Sequence, residues 1–146
     1  YRGLNTRLVV VDPEHSVFYD SYRTGDRTLT SDRGSKIEGI GRPKVEASFQ
    51  PDVIDDMIKV DDRASIATMR WLANIASINA GASTGTNLWG ALHVAAEMEK
   101  KNEKGAIVTL MCDSGERYTD TYHNADWVKS TFGDITEFEQ QLAKFA

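Results

Sequence analysis

The chain has 146 residues, of which 40% are hydrophobic and 27% charged, enough for one domain with a sizeable core. A net charge of -5 argues against a nucleic-acid binder, which carries a basic surface. No apolar run reaches the length of a membrane span, no signal-peptide pattern is present and the single cysteine excludes an internal disulfide, so a reducing cytoplasm is the expected compartment.

Residues 8–11, Leu-Val-Val-Val, are a short β-branched run closed by Asp12 and Pro13. They read as a strand buried on both faces, the kind found in parallel sheets. Residues 15–35 are polar and contain Gly25 and Gly34. This stretch is too long for an ordinary connection and reads as a functional excursion or a mobile segment. Arg23, Arg27, Arg33 and Lys36 in or beside it are solvated loop charges on the plain reading and an anion-attracting rim on the sharper one. Gly39 and Gly41 flank Ile40, which marks a plain turn or a backbone lying close to something else. Pro51 opens a short helical turn.

Residues 57–60 form the second expected strand. Asp61 and Asp62 then cap a helix of about four turns, marked by Ile66, Met69, Leu72, Ala73 and Ala76 at spacings of three and four. Residues 80–87, Ala-Gly-Ala-Ser-Thr-Gly-Thr-Asn, join it to a further helix carrying Leu88, Ala91, Leu92, Ala95 and Met98. The hydroxyls in this junction are N-caps or polar contacts to a bound ring or anion. Lys100, Lys101 and Gly105 fit the C-terminal end of that helix. Residues 106–111, Ala-Ile-Val-Thr-Leu-Met, read as the third and clearest strand. They run into Cys112, Asp113 and Ser114, the position beyond a strand's carboxyl end where open α/β sheets bind ligands. Two short helical patterns follow, one from Asn124 with Trp127 and Val128, the other from Thr136 with Phe138, Leu142 and Phe145. Strands alternating with helices predict an α/β fold: a three-layer parallel sheet with helices on both faces.

His15, His93 and His123 are far apart and unpaired with cysteine, so no metal site is expected. Nucleophile-elbow, dinucleotide-fingerprint and Walker patterns are absent. Asp113 beside Cys112 works against a reactive thiolate, so Cys112 is expected to be packed and unreactive. The residues alone lead to a ligand-binding α/β domain with its site near Ser83 and residues 112–114.

Four motifs then stand in order: Val-Asp-Pro at 11–13, Lys-Ile-Glu-Gly-Ile-Gly at 36–41, Gly-Ala-Ser-Thr-Gly at 81–85 and Asp-Ser-Gly-Glu-Arg-Tyr at 113–118. In order and spacing they resemble the C-terminal half of the cysteine synthase family, pyridoxal-phosphate enzymes of the tryptophan synthase β-like fold (fold type II). The resemblance runs from Leu8 to about Tyr122. It implies that residues 1–146 are most of the larger domain. It also implies pyridoxal 5'-phosphate as cofactor, with Ser83 meeting the pyridine nitrogen and Cys112 and Asp113 in the turn beside the ring. Gly39, Ile40 and Gly41 would line the substrate entrance. No catalytic residue is expected within the chain. The Schiff-base lysine, the substrate-carboxylate loop and the phosphate cradle would all lie before Tyr1, a start without Met that fits a piece of a longer protein. The fragment alone is therefore expected to be inactive.

Three departures from the family pattern stand out: Cys112 where proline is usual, Glu38 where glutamine is usual, and an Arg-rich loop at 22–33. A carboxylate at the entrance disfavours an anionic second substrate. The Cys-Asp turn and the Tyr-x-Asp-Thr-Tyr continuation at 118–122 are similar to cysteine desulfhydrases. The resemblance thus leans towards L-cysteine desulfhydration (cysteine to sulfide, pyruvate and ammonia), with cysteine synthesis as the alternative and a non-catalytic module retaining the fold as a third reading. It further implies a small amino-acid substrate and a homodimer, with no nucleic-acid or membrane partner.

Overall fold

The computed structural model describes residues 5–145. Strand β1 (Val9–Pro13) pairs in parallel with β2 (Asp56–Val60), with Val9 opposite Asp56 and Pro13 opposite Val60. Helix α1 (Phe18–Thr24) lies between them in sequence and packs on β2. Helix α2 (Asp62–Ala76) follows β2 directly and packs along α3 (Ala82–Lys100), which also lies against both strands. Two short helices, α4 (Ala125–Phe132) and α5 (Thr136–Leu142), close the chain, and α5 covers α2. The expected α/β class and parallel pairing are present.

The core lies where β2, α2, α3 and α5 meet, with Val60, Ile66, Met69 and Leu142 fully enclosed. Val60 ends β2, while Ile66 and Met69 in α2 and Leu142 in α5 are apolar positions on the buried faces of their helices, so burial there follows the amphipathic pattern. Asp61 caps α2, its carboxylate accepting from the Arg63 N–H at 2.7 Å. The helices cross at Gly85. A Cβ there would overlap the backbone carbonyl of Ser65 and come within 3.0 Å of the Met69 nitrogen. Only glycine permits this approach.

Four expectations need correction. Residues 106–111 form no strand among the described residues. A strand exists by pairing its backbone, and this segment has no strand beside it. It runs across an open groove of about 630 Å³ from β1, with α3 residues Gly90, Val94 and Met98 also lining the space. Val108 is 92% exposed and Leu110 73% exposed. Second, residues 15–35 are not one loop. Asp12 accepts the Tyr19 N–H at 2.8 Å, Phe18 stacks on Phe49 at 4.5 Å, and Gly25 at φ 75° ends the helix so formed. Third, two of the cations expected to be solvated loop charges are tied to the chain: Arg27 donates to the carbonyls of Glu46 and Phe49, and Lys36 Nζ to that of Thr131. Fourth, α3 closes at Lys100 with Lys101 as C-cap, as expected, but the left-handed residue that follows is Asn102 at φ 52°, not Gly105.

Candidate functional site

The start of α3 and the turn after residue 111 are clasped together. Gly81 donates its N–H to the Asp113 carbonyl at 3.0 Å, Gly115 donates to the Asn79 carbonyl at 3.2 Å, and Ala80 and Ser114 form an antiparallel bridge between these two bonds. The N-cap of α3 is Gly81, with no side-chain cap. Ser83 and Thr84 therefore lie inside the first turn and do not cap it, because the helix begins before the hydroxyls are reached. Thr84 Oγ1 accepts the Cys112 N–H at 2.9 Å, and Thr86 donates to Ser65 Oγ at 2.7 Å. The hydroxyl of Ser83 is left over. Ser83 is 8% exposed, and its hydroxyl has no hydrogen-bond partner among the described residues. The oxygen itself is not among the enclosed unpartnered atoms, so the hydroxyl reaches accessible space with its donor and acceptor capacity free. The structure thus brings Ser83 beside residues 112–114, as the sequence predicts.

Cys112 is exposed rather than packed, the one feature of this turn that departs from expectation. Its Sγ lies 3.5 Å from Asn87 Nδ2, and it follows directly on the segment that borders the open groove. Asp113 Oδ2 accepts from the Tyr118 hydroxyl at 2.6 Å. That bond to a carboxylate, reinforced by burial, pushes the Tyr118 phenol up to about 12, so it stays a neutral donor. Arg117 bridges two carboxylates, Asp113 at 3.9 Å and Glu38 at 3.6 Å. His123 lies behind the turn with Nε2 buried and without a partner among the described residues. Burial lowers its pKa and favours the neutral ring.

The segment carrying Gly39, Ile40 and Gly41 reaches the same turn through Glu38 and Tyr122. Gly39 at φ 86° and Gly41 at φ 81° are both left-handed, which accounts for glycine at these two positions. The Tyr122 hydroxyl donates to the Lys36 carbonyl at 2.8 Å and accepts the Glu38 N–H at 3.0 Å. From the other side Asp62 accepts the Lys36 N–H at 2.7 Å and the Ser35 hydroxyl at 3.0 Å. Thr84, Tyr118 and Tyr122 hold these pieces together; all three stand within the sequence motifs, which did not assign them this role. The signal was the pair of tyrosines four residues apart, whose rings meet at a tilt with centroids 4.9 Å apart.

The family model for pyridoxal-phosphate dependent enzymes matches residues 2–113. The chain belongs to the pyridoxal-phosphate dependent enzyme family. Among curated relatives, L-cysteine desulfhydrase Cds1 of Mycobacterium tuberculosis is 50% identical over 130 residues, covering 89% of this chain and 35% of the relative. Cysteine synthase 2 of Emericella nidulans is 31% identical over 137 residues, covering 86% of this chain and 30% of the relative. The crystal structure of O-ureido-L-serine synthase superimposes with a TM-score of 0.64 at 28% identity, over 80% of this chain and 33% of that one. The chain spans about a third of the length of these relatives. Among the described residues, the neutral hydroxyl of Ser83, without a protein partner, and the turn at 112–114 fastened to the start of α3 are the groups chemically able to meet a heteroaromatic ring.

Proposed function

We propose that the full-length protein is a pyridoxal-phosphate enzyme acting at the β-carbon of cysteine or an O-activated serine, with breakdown of L-cysteine to sulfide, pyruvate and ammonia as its main reaction. The observation that carries this reading is the 50% identity to a cysteine desulfhydrase across 89% of the chain. Residues 1–146 then make up most of the larger domain. When bound, pyridoxal phosphate supplies the electron sink that acidifies the α-proton and lets the β-substituent leave.

The chain's own part is to hold and to admit. Ser83 offers the ring nitrogen a neutral hydrogen bond, which does not force protonation as a carboxylate would. Thr84 and Gly81 fix the 112–114 turn beside it through Cys112 and Asp113. Gly39, Ile40 and Gly41 line the entrance. At the rim Glu38 and Asp113 share the single cation of Arg117, so the cluster keeps a net negative charge. Such a rim opposes entry of hydrosulfide and does not hinder its departure. The family resemblance further supports a homodimer working in the cytoplasm.

Cysteine synthesis is the second reading, favoured by the cysteine synthases among the relatives. A competition in the full-length enzyme separates the two: sulfide and pyruvate release from cysteine against cysteine formation from O-acetylserine and sulfide. Breakdown is expected to prevail in kcat/KM. Synthesis ahead by about a hundredfold, roughly 2.7 kcal/mol in transition-state terms, overturns the desulfhydrase reading.

A further inference from the structure

We infer that Tyr122 is a positioning residue for the amino-acid substrate, its hydroxyl locking the two peptide groups that precede Gly39 so that the N–H groups of residues 39–41 are held ready for a ligand. The inference rests on the entrance reading proposed above. It begins with an asymmetry in the segment. Residues 35–38 are tied down repeatedly: Lys36 through its carbonyl to Tyr122, its N–H to Asp62 and its Nζ to Thr131, and Glu38 through its N–H to Tyr122. The next three N–H groups, of Gly39, Ile40 and Gly41, have no partner among the described residues. The tie resumes at Arg42, whose N–H donates to Ser16 Oγ at 3.1 Å. Three consecutive unpaired donors between two fixed ends, with left-handed glycines at both outer positions, make a shaped polar surface rather than a slack loop.

Tyr122 is the group best placed to keep that shape. It is 5% exposed, and its ring is held by Tyr118, Trp127 and Phe132 at centroid distances of 4.9, 5.6 and 6.3 Å. The aromatic cage fixes the ring, and the hydroxyl then uses its donor on one peptide group and its acceptor capacity on another two residues on. The ring packs in the core, while the hydroxyl serves only the entrance segment.

Tyr122→Phe separates these roles, because it keeps the ring and removes the hydroxyl. In the full-length enzyme this variant is expected to raise KM for cysteine about fivefold with kcat within about twofold, the signature of lost ground-state positioning. Deuterium exchange at the Glu38 amide is expected to quicken about tenfold as its hydrogen bond to the Tyr122 hydroxyl is lost, with the melting temperature little changed. Gly39→Ala, where the added Cβ meets nothing within 4 Å but φ 86° is strained for alanine, distorts the entrance segment independently of Tyr122 and so probes the entrance itself. If Gly39→Ala raises KM and Tyr122→Phe does not, the entrance reading stands and the role of Tyr122 is wrong. If neither moves KM, the entrance reading falls and takes the inference with it. A fall in kcat and in melting temperature at unchanged KM marks Tyr122 as merely structural and also overturns the inference. Should Tyr122→Phe not yield folded enzyme, Asp62→Asn loosens the same segment from the opposite side, and an unchanged KM there overturns it.

Discussion

Gly85→Ala is the sharpest test of how the site is built, because Ser83 is placed by the crossing of α2 and α3. The added Cβ would overlap the carbonyl oxygen of Ser65 and lie 3.0 Å from the Met69 nitrogen. Both are backbone atoms of a helix and cannot rotate away, so the helices must part. Overpacking of this kind costs about 1–3 kcal/mol. Parting the helices also stretches the buried bond from Thr86 to Ser65, now 2.7 Å, at a further cost of about 0.5–1.5 kcal/mol. Alanine returns about 0.8–1 kcal/mol through its better helix propensity. The net expectation is destabilisation by about 2 kcal/mol. Trp89, one turn further along α3 and 8% exposed, is a built-in fluorescence reporter for urea unfolding of the full-length protein. A lower midpoint at unchanged slope is the expected result. If the variant is neutral, or more stable by the propensity gain alone, the helices do not cross at this distance and the placement of Ser83 loses its support.

Two further outcomes are expected. Ser83→Ala should keep the fold and slow β-elimination by a few-fold to about tenfold, the worth of one neutral hydrogen bond; Ser83→Asp should change the absorbing species seen by rapid scanning during turnover, and wild-type behaviour in the Asp variant would mean that Ser83 does not face the ring nitrogen. His123 has its folded pKa lowered below 6.5 by burial, so the unfolded chain binds the proton more readily and stability should fall as pH drops from 6.5 towards the folded value; denaturation midpoints across that window should flatten in His123→Gln, and an equal slope in the variant assigns the pH dependence to other groups.

What the sequence made legible was local. The β-branched run before Pro13, the spacing of Ile66 and Met69, and the Asp61 cap each act within a few residues, and β1, β2, α2 and α3 stand where those signals point. Helix α1 was missed because its stabilising contacts are distant: Phe49 beneath Phe18 and the Asp12 carboxylate at its first turn. Residues 106–111 read as the clearest strand in the sequence and yet form none among the described residues. β propensity reports fitness for a pleated surface, and the pairing partner that makes the surface is non-local. Here β1 is paired to β2 along one edge, and the groove separates its other side from residues 106–111.

The site divides along the same line. Ser83 and the 112–114 turn were named as candidates because each belongs to a motif with its chemistry written in residue type, and the structure brings their segments together. Tyr122 stood in a quoted motif without a role, and its ring is in the core. Its second role exists only because chain folding brings Lys36 and Glu38, 86 and 84 residues away, to its hydroxyl. The same holds for Arg117, which is an ordinary surface arginine until Glu38 is placed 3.6 Å from it. Placing Glu38 against Arg117 also changes the electrostatic argument drawn from the sequence. One entrance carboxylate becomes two carboxylates sharing one guanidinium, so the repulsion felt by an incoming anion is that of a single net charge spread over an exposed cluster. At physiological salt such a charge is strongly screened beyond roughly 8 Å. It can therefore discriminate against hydrosulfide only at close range, over the few ångströms in which the anion passes the rim, and any preference for cysteine breakdown that depends on this cluster should weaken as ionic strength rises.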